Sequence, residues 1–103
     1  MRVRVTDDAT EDLRQIKAFI STRDAAASES VIDRIRRTIA LLCTLPRLGH
    51  TGIVHGTYEI SIPRVPFLAV YRATSPNRHE ELVVLRVYHA AQDRSGAFWR
   101  QLG

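Results

Sequence analysis

Few side chains in this chain are suited to chemistry, and they sit at the ends of strand-like runs. His89 closes one such run, and an imidazole with a pKa near 6.5 can exchange a proton at neutral pH. Arg72 and Arg86 could share one face of a sheet and meet an anionic partner or target. The alternative is structural: His89 hydrogen-bonds to nearby backbone, and each arginine is a solvated strand residue. We favour the structural role for His89 and keep catalysis as the second possibility.

The chain lacks the spacing of a metal or nucleotide site. Its four histidines and single cysteine form no closely spaced ligand set, so we expect no metal and no cofactor. The lone Cys43 also excludes an internal disulfide framework. Gly49, Gly52 and Gly56 match neither a P-loop nor a dinucleotide fingerprint, and we interpret them as supplying flexible loop geometry.

Hydrophobic periodicity predicts the elements that would position these residues. Alternation at residues 2–6 is typical of a short strand, and apolar residues three and four apart predict two helices joined by a short loop. Pro46 should end the second helix. The expected elements are a strand at 2–6, a first helix before the break at 21–24, a second helix at 25–44, strands at 57–62, 67–74 and 81–88, and a short helix at 95–102.

This order predicts an α+β fold in a single domain, residues 1–103. We expect two layers, with an N-terminal strand and an antiparallel helical hairpin packed on a C-terminal antiparallel three-stranded meander. No apolar run approaches the roughly 20 residues of a membrane span. The first residues also lack the apolar core of a signal peptide, so a cytoplasmic location is expected.

Positive charge is concentrated in the later part of the chain. The net charge is +4. Residues 1–33 contain five basic and seven acidic side chains, whereas residues 34–103 contain ten basic and four acidic ones. Such a surface attracts nucleic acid or an acidic protein.

Five short motifs resemble the RelE/ParE family, the small toxins of bacterial type II toxin–antitoxin systems. The resemblance covers nearly the whole chain and rests on the motifs together, in order and at matching separations. The motifs are Ala9…Asp12-Leu13…Ile16, Leu45-Pro-Arg-Leu-Gly49, Gly56-Thr-Tyr-Glu59, Val70-Tyr-Arg72 and Leu85-Arg-Val-Tyr-His89.

The resemblance implies one of two targets. RelE-like toxins cleave mRNA in the ribosomal A site, and ParE-like toxins are understood to inhibit DNA gyrase. Leu68 fills the position where RelE-like members carry a strand arginine, which favours the ParE-like branch. Tyr58 replaces the arginine usual in the family's Gly-Thr-Arg-Glu segment, so Glu59 is expected to be a surface residue or to have another basic partner. The chain also continues past His89, whereas the mRNA cleavers stop close to it.

The resemblance further implies partners and contact residues. An acidic cognate antitoxin should bind the toxin in a hetero-oligomer, and DNA gyrase should be the target, with no membrane involved. Arg64, Arg72, Arg86 and Arg94 are the candidate contacts. One alternative is a ribosome-dependent mRNA endonuclease using His89, Arg86 and Arg72. Another is a non-toxic member that only binds antitoxin.

Overall fold

A computed structural model describes residues 2–73 and 81–91. The turn expected at 75–79 and the helix expected at 95–102 lie outside these residues. The described elements, in chain order, are β1 (Arg2–Val5), α1 (Asp7–Ser21), α2 (Ala25–Leu41), β2 (His50–Thr51), β3 (Tyr58–Ser61), β4 (Phe67–Ala73) and β5 (Glu81–His89).

Side-chain caps begin both helices. The Thr6 hydroxyl accepts from the Ala9 N–H at 3.1 Å, and the Asp24 carboxylate accepts from the Ala27 N–H at 3.0 Å. Helix α2 ends at Leu41, short of the predicted residue 44, because the next three N–H groups bond to carbonyls three residues back and tighten the chain into turns. Neither helix in the described ranges is long and apolar enough to cross a membrane.

The described strands form one sheet in the order β1-β5-β4-β3-β2. Strands β3, β4 and β5 form the predicted antiparallel meander, β2 adds to it antiparallel to β3, and β1 pairs with β5 in parallel. The α+β class is therefore confirmed, but the sheet is larger than the predicted meander and mixed in direction. The extra strand β2 lies in a segment that the sequence predicted as loop. It pairs with Tyr58 and Glu59 of β3.

The helical hairpin covers one face of the sheet. In α1, Ala9 is fully buried while Leu13 and Ile16 pack against the core, as the apolar stripe predicted. We call the opposite face the outer face. The helix-facing core includes Ala9, Ile32, Ile35, Ile39, Leu42, Ile60, Ala69, Tyr71, Leu82, Val84 and Val87.

Candidate functional site

The edge of β5 is completed by α1 where β1 stops. Strand β1 follows β5 only as far as Val84. Thr6 then continues the edge, because its N–H donates to the Val84 carbonyl at 3.1 Å and its hydroxyl donates to the Leu85 carbonyl at 2.9 Å. Six residues later, the Asp12 carboxylate accepts from the Val87 N–H at 2.9 Å. Side chains of α1 thus satisfy backbone groups that would otherwise face an open edge.

Arg86 forms a two-point ion pair with Asp12. Its Nε and Nη2 atoms donate to the two Asp12 oxygens at 2.7 and 2.9 Å. The side chains are only 19% and 12% exposed, and the hydrogen bonds from Arg86 to Asp12 raise the pKa of Arg86 above its usual value. The guanidinium also lies 5.1 Å from the centre of the Tyr88 ring. Arg86 is therefore a structural link between β5 and α1.

Arg72 has a different environment. It lies opposite Val83 of β5, which in turn lies opposite Arg4 of β1, so the three form one row on the outer face. Register places Arg86 on this face too, since it lies opposite Val70. Of the two arginines, however, Arg72 alone is exposed, and it makes no ion pair with any described residue.

His89 is the exposed last residue of β5. Its Nδ1 atom accepts from the Ala91 N–H at 3.1 Å, so that nitrogen carries no proton in this arrangement. Its ring packs edge-on against Phe67 with centroids 5.5 Å apart. This hydrogen bond to nearby backbone agrees with the structural role expected for His89.

Arg64 lies at the tip of the β3–β4 hairpin in a left-handed conformation, with φ of 68°. The turn is closed by a 2.9 Å bond from the Ile62 N–H to the Phe67 carbonyl. This conformation costs a residue with a Cβ roughly 1–2 kcal/mol, a cost that glycine avoids. An exposed arginine therefore occupies a position that glycine would adopt at lower cost. Arg94, the remaining candidate contact, lies outside the described residues.

Glu59 is not a surface residue, which corrects one of the two sequence expectations. Its side chain is 2% exposed, and it accepts from the Ile53 N–H at 3.2 Å. His50 lies nearby, with its Nε2 atom 3.7 Å from Oε1 of Glu59. Tyr58 points to the helix side of the sheet, where it stacks on Tyr71 with ring centroids 5.7 Å apart.

Two of the loop glycines are fixed by close packing, which corrects their interpretation as flexible loop geometry. A Cβ on Gly49 would lie 2.6 Å from both the Glu59 carbonyl and the Tyr71 hydroxyl. A Cβ on Gly52 would overlap the Thr57 hydroxyl. The absence of a side chain at these positions is what lets β2 approach β3.

The outer face carries an apolar cluster that includes Leu68, the position where the resemblance to RelE-like members implied an arginine. Leu68 is 5% exposed and clusters with Val70 and Tyr88, both of which are also buried. Register pairs Leu68 with Tyr88, so the two share one row. An apolar packing role thus accounts for Leu68.

The cavities that open on the described surface include three of about 320–330 Å³. One lies between α1 and the ends of β4 and β5, where Phe19, Phe67 and His89 are next to the Asp12–Arg86 pair. The other two adjoin along α2. Within residues 2–73 and 81–91, no cluster of three or more His, Cys, Asp or Glu side chains could hold a metal ion.

Comparison with known proteins agrees with this fold. The sequence model of the ParE toxin of type II toxin–antitoxin systems, parDE, matches residues 3–94. A search of curated sequences found no match. Similar solved structures include a chromosomal ParDE toxin–antitoxin system from P. aeruginosa, with a TM-score of 0.75 and 21% identity over 86% of this chain and 95% of that one.

Two further structures share the fold. A YoeB/ParE toxin from Agrobacterium tumefaciens has a TM-score of 0.60 and 19% identity, covering 86% of this chain and 98% of that one. The isolated E. coli RelE toxin has a TM-score of 0.63 and 14% identity, covering 98% of this chain and 94% of that one. At these identities the likeness concerns the fold alone.

Proposed function

This chain belongs to the ParE toxin family of type II toxin–antitoxin systems, and from that premise we propose that it inhibits bacterial growth by binding DNA gyrase in the cytoplasm. A cognate acidic antitoxin neutralises it by forming a hetero-oligomer with it. The toxin acts by occupying a surface of its target and has no catalytic chemistry of its own.

The environment of Arg86 is the observation that carries this proposal. A ribonuclease needs a cation free to stabilise charge that develops on the phosphate. Arg86 is instead held by both oxygens of Asp12. Together with buried Leu68, this leaves two expected catalytic positions in structural roles. Both positions support a binding mechanism over an mRNA endonuclease that would use His89, Arg86 and Arg72.

Charge supports an acidic antitoxin and an exposed contact at the hairpin tip. Residues 34–103 hold ten basic and four acidic side chains. Of the candidate contacts, Arg64 and Arg72 are exposed, and neither makes an ion pair with a described residue. Arg64 also keeps a strained backbone conformation, which is typical of residues retained for a contact. We therefore place the target contact at Arg64, with Arg72 as a second contributor.

The test is to induce the chain alone in a bacterial host and to pulse-label DNA and protein synthesis. We expect DNA synthesis to fall first, and the purified protein to inhibit gyrase supercoiling in vitro. A His89→Ala variant should remain as toxic as the wild type, whereas Arg64→Glu should lose toxicity. Circular dichroism of both purified variants controls for folding.

Other outcomes would reject the proposal in distinct ways. If protein synthesis falls first and His89→Ala restores growth, the chain is an mRNA endonuclease. If strong expression without antitoxin leaves growth normal, the chain is a non-toxic member that only binds antitoxin. An inhibited gyrase with unchanged toxicity of Arg64→Glu would move the contact away from the hairpin tip.

A further inference from the structure

One face of α2 lines two adjoining cavities. Ser30, Arg34, Thr38 and Leu41 recur three or four residues apart, so their side chains share a helix face. Two cavities of about 320 Å³ each lie along this face, and both are lined by Thr38 and by Pro63 of the β3–β4 hairpin. We call this space, between α2 and the hairpin, the α2 groove.

The end of the α2 groove nearer Ser30 is cationic. Arg34 lines it, is half-buried, and makes no ion pair with any described residue. Arg37 also lines it and pairs with Asp33 at 2.8 Å, but these side chains are 80% and 54% exposed. An ion pair this exposed is weak, so a partner carboxylate can compete for Arg37. Two arginines and one aspartate leave this end with an unbalanced positive charge.

The other end of the α2 groove presents exposed leucines, although His50 and the 2% exposed Glu59 also line it. Leu41 and Leu48 line it and are each 50% exposed, and the buried side chain of Ile60 also faces it. Exposed large apolar residues grouped around a concavity mark sites of protein contact. The cationic end and the end with the exposed leucines adjoin, because Thr38 and Pro63 line both cavities.

We propose that the α2 groove binds an acidic protein segment that carries an apolar anchor residue. Helix α2 rises about 1.5 Å per residue, so Leu41 lies roughly 10 Å along the axis from Arg34 and about 6 Å from Arg37. An extended chain advances about 3.3 Å per residue. The segment therefore places a carboxylate two or three residues from its anchor, the carboxylate on Arg34 and Arg37 and the anchor between Leu41 and Leu48.

This inference rests on the proposed function, because the segment belongs to the antitoxin. Charge complementarity selects an acidic occupant, and the leucines select a protein over a nucleic acid. A nucleic-acid backbone would use the two arginines but would gain little from Leu41 and Leu48.

The inference is tested by binding of the candidate antitoxin, taken as the full-length acidic protein encoded by a gene adjacent to that of this chain. Isothermal titration should give a Kd about tenfold weaker or more for Arg34→Glu and for Leu41→Ser. Each has a matched control elsewhere on the surface. Arg36→Glu reverses an exposed charge off the groove, and Phe19→Ser removes a 62% exposed apolar side chain on α1. Both controls should stay within about twofold of the wild type.

Further variants separate loss of fold from loss of contact. Arg34→Gln removes the charge with little change of shape. Leu48→Ser removes an apolar side chain that lines the groove but does not belong to α2, so it leaves the helix unchanged. Both should weaken binding while circular dichroism stays that of the wild type. Unchanged affinity in all four groove variants overturns the inference and leaves the proposed function standing. No binding of the wild type overturns the antitoxin part of the proposed function and this inference with it.

Nucleic acid provides the last discriminating outcome. We expect a 30-base-pair DNA duplex not to compete with the antitoxin for the wild-type chain. If the duplex displaces the antitoxin and binds through Arg34 but not Leu41, the α2 groove is a nucleic-acid contact and the inference is wrong.

Discussion

Replacing Asp12 with alanine should destabilise the fold far more than an ordinary surface change. The substitution removes two hydrogen bonds to Arg86 and one to the Val87 N–H. Breaking a fully buried ion pair costs about 3–5 kcal/mol, because the remaining charge is left without compensation. Here the two side chains keep 19% and 12% exposure, so solvent offsets part of that cost. We expect a loss of about 2–3 kcal/mol in the free energy of unfolding.

Urea denaturation followed by circular dichroism measures this loss directly. In thermal unfolding, the same change corresponds to a fall in Tm of roughly 10–20 °C for a domain of this size. Asp12→Asn should cost less, since its amide oxygen can still accept from the Val87 N–H. A double-mutant cycle with Arg86→Ala should give a coupling energy of at least about 1 kcal/mol.

The chain offers a matched control in Asp33, which pairs with Arg37 at 2.8 Å on the exposed surface of α2. Asp33→Ala should change stability by no more than about 0.5 kcal/mol. If Asp12→Ala lowers the free energy of unfolding no more than Asp33→Ala does, the Asp12–Arg86 ion pair does not stabilise the packing of α1 on β5. Arg86 would then be available for catalysis, and the proposed function would lose its main support.

Two further substitutions test other parts of the fold. Tyr71→Phe removes a hydroxyl that donates to the Pro46 carbonyl at 2.9 Å and accepts from the Gly49 N–H at 3.0 Å, and should cost about 1–2 kcal/mol in urea denaturation at pH 7. Burial raises the pKa of Tyr71 above its usual value near 10, so its contribution is complete below pH 10 and is lost as pH rises further. Arg64→Gly removes a strain of roughly 1–2 kcal/mol at a positive φ. Because the greater freedom of glycine in the unfolded chain offsets about 0.4–1 kcal/mol of this, we expect a net gain in stability of up to about 1 kcal/mol and reduced growth inhibition.

Each of these has a control. The Tyr71→Phe variant should lose less stability than the wild type between pH 9 and 11, and an equal loss in both would show that other groups dominate there. Arg64→Lys keeps the charge and should keep toxicity. An Arg64→Gly variant that is more stable and equally toxic would remove Arg64 from the proposed contact.

Local patterns were sufficient to predict most of the elements. Both helices and the three longer C-terminal strands follow from apolar periodicity and turn residues, and their bounds differ from the prediction by a few residues. Strand β2 has two residues and no alternation of its own, because its pairing depends on β3 and on the missing side chain of Gly49. Such a strand leaves no local signal in the sequence.

The candidate site was less predictable because its contacts are distant in sequence. Asp12 and Arg86 are 74 residues apart, and neither residue type signals the other. For Glu59, the alternation of its strand with Tyr58 and Ile60 carries no signal that the side chain is buried. That burial comes with a backbone contact from Ile53, in a loop whose path no periodicity describes.

The parallel pairing of β1 with β5 has a consequence for how the chain folds. Thr6 and Leu85 meet although they are 79 residues apart, so this contact closes a very long loop. Contacts between residues so far apart in sequence form slowly. The chain loses the entropy of loop closure before the strand pairing contributes any stabilising free energy. A nascent chain can assemble its helical hairpin early, but it cannot complete the sheet before β5 is synthesised. We therefore expect the folded surface that is proposed to contact the target to appear abruptly, with the docking of β1 against β5.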